Sequence, residues 1–145
     1  MDGAYLPGYA GSTARMVLAR TAAQRASFVP AELLVAARVL DVGCGPGTIT
    51  AGLAAGVGPA GRLVALDAAA DHLRLARSAL SGMGGDIAPW VVGRGSVYAL
   101  PLAAASVDLV FAHALFEHLN APMAALAELR RVLRPGGTLA LVTSD

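Results

Sequence analysis

The residue pattern predicts an α/β fold: a Rossmann-like, doubly wound sheet of about five parallel strands with helices on both faces. Three observations carry this. Short runs rich in Val and Leu, bounded by Gly, Pro, Asp or Ser, recur along the chain and read as strands buried on both faces. Segments of helical period separate them, and alternation with short links implies crossovers of one hand. The first run closes on "LDVGCGPGTIT" (Leu40 to Thr50), a glycine-rich turn placed where such folds turn from strand to helix.

Taken in order, the first element is a helix over Gly11 to Ser27, whose arginines at 15, 20 and 25 are spaced by five and define no clean face. "ARVLDV" (Ala37 to Val42) is the first strand and "RLVALD" (Arg62 to Asp67) the second. From Ala70 to Ser81, Leu73, Ala76 and Leu80 recur at i, i+3 and i+7, as on an amphipathic helix. "PWVVG" (Pro89 to Gly93) and "VDLVFA" (Val107 to Ala112) are the third and fourth strands. The next helix is expected to be capped by Asn120, to start on Pro122 and to present Leu126, Leu129 and Leu133 on one face. Arg130, Arg131 and Arg134 stand where its negative end favours cations, and Pro135-Gly136-Gly137 stops it before "TLALVT" (Thr138 to Thr143), the fifth strand.

The 145 residues make a single domain, 1–145, divided into an N-terminal helix region (1–30) and a Rossmann-like core (37–145). A chain of that size buries roughly 70% of its unfolded surface, enough for a core without disulfides or metal. The net charge of +1 comes from 11 arginines, with no lysine, against 10 acids spread along the chain, so no basic stripe calls for nucleic acid. Mean hydropathy is high at +0.61, yet no window approaches about 18 uninterrupted apolar residues, and no membrane span is expected. Cys44 has no second cysteine to pair with, and "MDGAYLPG" has neither the basic nor the apolar section of a signal peptide. A reducing, cytoplasmic setting is the expectation. No grouping of His, Cys and acid has metal-ligand spacing, so no metal is expected.

Gly43, Gly45 and Gly47 allow the turn dihedrals closed to other residues and let a ligand approach the main chain. Asp67 follows Gly43 by 24 positions at the end of the second strand, near the interval at which such folds place an acid on ribose hydroxyls. Together they point to a nucleoside. A dinucleotide site would have its third glycine at position 48, but that residue is Thr48. Asp41, beside the loop, would repel a pyrophosphate and suits a ligand with a positive ammonium and a positive sulfur, as in S-adenosylmethionine.

"VLDVGCGPGTIT", "LVALDAAADHLRLAR", "GSVYALPLAAASVDLVFA" and "LRRVLRPGGTLALVTSD" resemble, in order and spacing, the successive motifs of the class I S-adenosylmethionine-dependent methyltransferases. The similarity covers about Arg38 to Asp145, and "YLPGYA" resembles the cap of small-molecule members. It implies that Asp41, Gly43, Cys44 and Gly45 line the methionine half of the cofactor and that Asp67 holds the ribose. His72 stands where the family often has a methionine against adenine, and an imidazole can stack there. Where the family commonly has Gly-Asp, this chain has Gly95-Ser96, so adenine recognition falls to the Ser96 hydroxyl or the backbone of Val97.

The reaction implied is in-line methyl transfer to a small-molecule acceptor, in which proximity and orientation supply roughly 7 to 11 kcal/mol of the barrier. A base is optional. The candidates lie in "FAHALFEHL": His113, at the carboxyl end of the fourth strand beside the transferable methyl, then His118, with Glu117 and His118 otherwise structural. The resemblance also implies antiparallel strands beyond "VTSD" that this sequence lacks, so it is read either as a truncated piece of a methyltransferase or as a chain whose exposed "TLALVTS" edge is completed by a partner or a second copy. Two other functions fit less of the pattern. One is a cofactor-binding module without turnover; the other, a nicotinamide-dependent oxidoreductase, conflicts with Thr48 and Asp41.

Overall fold

The computed structural model describes residues 21–143. The "YLPGYA" segment and most of the Gly11 to Ser27 helix lie outside these residues. Within them the chain forms two short helices, α1 (Ala22–Arg25) and α2 (Ala31–Leu34), then β1 (Arg38–Val42), α3 (Thr48–Val57), β2 (Arg62–Asp67) and α4 (Ala70–Ser81). β3 (Trp90–Arg94), β4 (Val107–His113), a 3₁₀ turn (Phe116–His118), α5 (Pro122–Val132) and β5 (Leu133–Val142) complete it. The five strands make one sheet of order β3-β2-β1-β4-β5, every pair parallel. Strand order reverses between β1 and β4, so the carboxyl ends of these strands and of β2 frame the crevice where open α/β sheets take ligands.

The near-continuous apolar runs are explained by burial on both faces. Val39, Leu63, Ala65, Leu109 and Phe111 point into one core, shared with Leu53, Leu73 and Ala76 from α3 and α4. Their strand neighbours Leu40, Val42, Leu66, Val110 and Ala112 point into the other, against Ala125, Leu129 and Val132 of α5. Period-2 alternation thus sorts apolar residues between two helical layers rather than between core and solvent. Phe111 and Leu40 are fully buried, and truncating a side chain such as Phe111 to alanine costs about 3–5 kcal/mol.

Two expectations about α5 and β5 are corrected. The N-cap of α5 is Ala121, not Asn120, and no side chain caps it; the helix ends at Val132. Its buried face is therefore Ala125, Leu129 and Val132, while Leu133 and Arg134 already belong to β5. Pro135-Gly136-Gly137 lies inside β5, where a register irregularity carries the pairing from Val107 with Leu133 to Leu109 with Thr138. Arg134 does not serve the helix end. Its Nε donates to Asp108 Oδ1 at 2.7 Å, and Arg38 donates to the same carboxylate from β1. Those hydrogen bonds hold the Asp108 carboxyl well below the usual range and tie the amino ends of β1, β4 and β5, at the opposite end of the sheet from the glycine turn.

Candidate functional site

Between β1 and α3 the chain turns through Gly43, Cys44, Gly45, Pro46 and Gly47. The three glycines all have positive φ, at 69°, 56° and 82°. They do not share one reason for being glycine. Among the described residues, a Cβ on Gly45 would meet nothing within 4 Å, whereas one on Gly47 would collide with Ala76 of α4.

The loop's N–H groups are consumed internally. Gly43 and Cys44 both donate to the carbonyl of Leu66, at 2.8 and 3.0 Å, Gly47 donates to Cys44 at 3.3 Å, and Pro46 has no N–H. Gly45 donates to Asp67 Oδ2 at 2.9 Å. A phosphate cradle needs several such amides aimed outward at an anion. This turn instead offers a carboxylate and no converging amides from those four residues, which suits a ligand that carries hydroxyls and positive charge.

Asp67 closes β2 and is 4% exposed. Besides Gly45 it accepts from the Ala69 N–H at 2.9 Å, and the Nδ1 of His72 lies 3.1 Å from Oδ1. Burial raises its carboxyl, but the bonds from His72, Ala69 and Gly45 together outweigh that and hold it below its ordinary value, so it is ionised at neutral pH. An ionised carboxylate offers about four lone-pair sites. Three are engaged, and the one left belongs to Oδ2, the oxygen shared with Gly45.

A cleft opens at this point, lined by Val42, Gly43, Asp67, Ala68, Gly95, Ser96, Val97 and Leu115. It brings together four of the residues singled out in the sequence: Gly43, Asp67, Ser96 and Val97. Ser96 is exposed, and its Oγ accepts from the Tyr98 N–H at 3.2 Å, which shapes the turn and leaves the hydroxyl proton and a lone pair for a ligand. Apolar walls from Val42, Val97 and Leu115 stand beside the Asp67 carboxylate and a polar edge at Ser96. A second groove, at the amino ends of the strands, is lined by Asp108 and Arg134, which are paired with each other. It lies away from the switch point.

The other predicted residues sit behind or beside the cleft. Asp41 is 3% exposed under the loop and accepts from Thr50 Oγ1 at 2.6 Å; burial is the main cause that pushes its carboxyl up to about 7. Cys44 is buried, and its Sγ donates to the Gly45 carbonyl at 3.6 Å. His72 is buried on the first turn of α4. His113 is half-buried as the last residue of β4, its ring near-parallel to that of Phe111 with centroids 6.5 Å apart. His118 and Glu117 are exposed on the 3₁₀ turn.

Sequence reasoning missed Leu115 and Thr50. Leu115 walls the cleft and packs over Gly43, but a lone leucine in "FAHALFEHL" carries no signal of that kind. Thr50 had one: a hydroxyl at the start of α3, nine residues after an acid at the strand end, is placed to satisfy it. Also unforeseen was the clamp from α5, in which Glu128 accepts from the Leu100 N–H while Arg131 donates to the Leu100 carbonyl at 3.1 Å, anchoring the segment that follows Ser96 and Val97.

Known proteins share this sequence pattern and fold. A family model described as "Methyltransferase domain" matches residues 40–141. The chain is 41% identical over 125 residues to a trans-aconitate 2-methyltransferase of Azoarcus sp., covering 84% of this chain and 45% of that protein. It is 43% identical over 107 residues to a malonyl-[acyl-carrier protein] O-methyltransferase of Methylococcus capsulatus, covering 74% and 37%. The crystal structure of a SAM-dependent methyltransferase from Aquifex aeolicus superposes with a TM-score of 0.69 at 30% identity, over 75% of this chain and 57% of that one. The chain thus spans less than half the length of these two curated relatives.

Proposed function

This chain belongs to the methyltransferase-domain family, and from that premise we propose that it supplies the S-adenosyl-L-methionine-binding part of an enzyme that methylates a small-molecule acceptor. The observation that carries the reading is the pairing of Asp67 Oδ2 with the Gly45 N–H, 2.9 Å apart, at the mouth of a cleft with apolar walls. An ionised, desolvated carboxylate there takes a ribose hydroxyl, Val97 and Leu115 flank the base, and Ser96 accepts from or donates to its edge. The methionine half then lies toward Gly45, above the buried Asp41. When bound, the cofactor supplies a methyl group on a positively charged sulfur, a leaving group that is already activated.

The task left to these residues is to hold methyl donor and acceptor in line and exclude water. His113, at the carboxyl end of β4, is assigned as the base for an acceptor that must lose a proton, in preference to the exposed His118. The acceptor is read as a small molecule because relatives of this chain are named for trans-aconitate and malonyl-[acyl-carrier protein]. The test is calorimetric titration of the chain with S-adenosylmethionine, S-adenosylhomocysteine and NADH, followed by a methyl-transfer screen that includes trans-aconitate and malonyl-carrier protein. Binding of the first two and not the third is expected. A chain that binds neither sulfur nucleoside sinks the proposal.

A further inference from the structure

We propose that His72 is a positioning residue that dictates which oxygen of Asp67 is offered to the ribose. The inference rests on the nucleoside reading above and adds a residue and a role to it. Asp67 is held by two main-chain donors and one side chain: Gly45 N–H on Oδ2, Ala69 N–H on Oδ1, and His72 Nδ1 at 3.1 Å, also on Oδ1. The amides come with the fold of the turn and the start of α4. The imidazole is a choice of this sequence.

Its placement follows from the helix start. Ala69 is the N-cap of α4 and His72 is the third helical residue, five positions after Asp67. Helix side chains lean toward the N-terminus, so the ring is carried back over the end of β2 and meets the carboxylate. An ionised carboxylate only accepts, so the facing Nδ1 bears a proton. With 7% exposure for His72 and 4% for Asp67, little water competes for that bond.

The consequence is asymmetric. Two donors fill Oδ1, while Oδ2 keeps a lone pair that accepts from no other described residue, beside Gly45, where a Cβ would meet no atom of the described residues. A ribose hydroxyl is therefore directed to Oδ2, next to the open stretch of the loop. Loss of the Nδ1–H opens one lone pair on Oδ1, which Ala69 still holds through the other, so a hydroxyl can go to either oxygen and the sugar is no longer held in one register. Other charged groups around the pair are Arg94, whose Nε donates to the Ala68 carbonyl at 3.1 Å, and Asp41 under the loop. Neither donates to Asp67 in place of His72.

This role differs from stacking of the His72 ring on adenine, and two substitutions separate them. His72→Asn keeps an N–H close to the Nδ1 position and loses the ring; His72→Phe keeps a flat ring and loses the donor. The readout is the affinity of each folded variant for S-adenosylhomocysteine divided by its affinity for the 2′-deoxy and 3′-deoxy analogues. Wild type is expected to discriminate against at least one analogue by about tenfold or more, the usual weight of a hydrogen bond to a charged group. His72→Asn should stay within about twofold of that ratio and His72→Phe should fall below about threefold discrimination.

Retained discrimination in His72→Phe, or equal loss in both variants, overturns the assignment. Uniformly weaker binding of all three ligands by His72→Asn, with His72→Phe unaffected, overturns it in favour of stacking. Wild type that binds no ligand overturns the nucleoside reading and this inference with it, while wild type that binds without a His72 effect overturns this inference alone. Nitrogen-15 spectra of the wild-type imidazole give a check that needs no variant: an unprotonated Nδ1 at neutral pH overturns the bond.

Discussion

Gly47 lies against Ala76: a Cβ built on the glycine would stand 2.6 Å from the Ala76 Cα. The glycine turn is therefore also a point of close approach to α4, and two glycines two residues apart differ in what surrounds them. Gly47→Ala combines a left-handed φ of 82° with a backbone collision that no rotamer relieves, and should destabilise the chain by about 2–4 kcal/mol. Gly45→Ala meets no atom of the described residues and carries the strain of its φ of 56°, about 1–2 kcal/mol. It should instead weaken S-adenosylmethionine binding, because the methyl enters the space assigned to the ligand. Urea unfolding and calorimetry on both variants test this, and a Gly45→Ala chain with wild-type affinity would remove the ligand from that position.

Much of this site was legible because its chemistry is written in local order. The turn, Asp67 at a strand end and the apolar runs each follow from spacing, and the structure brings Gly43, Asp67, Ser96 and Val97 to one cleft. What was not legible depends on contacts between distant segments. Gly47 is glycine because of Ala76, Leu115 covers Gly43, and Leu100 is clamped by Glu128 and Arg131. The boundary of α5 was misread for a related reason. Arg134 has the look of a helix-end cation, but Asp108 on the neighbouring strand draws it into β5. Pro135-Gly136-Gly137 is tolerated within the strand because the register irregularity falls there.

Cys44 should be inert to thiol reagents in the folded chain. Burial raises its thiol, and the charges of Asp41 and Asp67 raise it further, so the reactive thiolate is suppressed at neutral and mildly alkaline pH. Ellman's reagent at pH 8 is expected to give no fast reaction until denaturant is added. Rapid labelling of the native chain would show that the loop opens in solution.

His113 is half-buried at the carboxyl end of β4, the end of the sheet that also carries the glycine turn, and is proposed above as the base. With an acceptor that must be deprotonated, His113→Gln should lower kcat by about 100-fold or more, the weight of a general base. It should also abolish the rise of kcat with pH while leaving the affinity for S-adenosylhomocysteine within about threefold of wild type. The same loss in His118→Gln, or a pH profile unchanged in His113→Gln, would move the base elsewhere.

Asp41 should make the folded chain less stable as pH rises through the weakly acidic range. Its carboxyl has an ordinary value of 3.8 and is pushed up to about 7, chiefly by burial, with the charge of Asp67 adding and the Thr50 hydroxyl opposing. Between these values the native state holds a proton that the unfolded chain has released, so the unfolded state binds fewer protons and stability falls with increasing pH until about 7. Asp41→Asn keeps an oxygen for Thr50 and removes the ionisation. It is expected to flatten this slope and to be more stable than wild type at pH 8 by on the order of 2–4 kcal/mol, read from urea unfolding at pH 5 and 8. An equal slope in the variant would contradict the assignment. The same carboxyl gives a sign to cofactor binding: a cationic sulfur brought near Asp41 favours its charged form, so S-adenosylmethionine should release protons on binding at pH 6 to 7. S-adenosylhomocysteine, whose sulfur is neutral, should release fewer, and calorimetry in two buffers of different ionisation enthalpy measures the difference. Equal release by both ligands would place the sulfur away from Asp41.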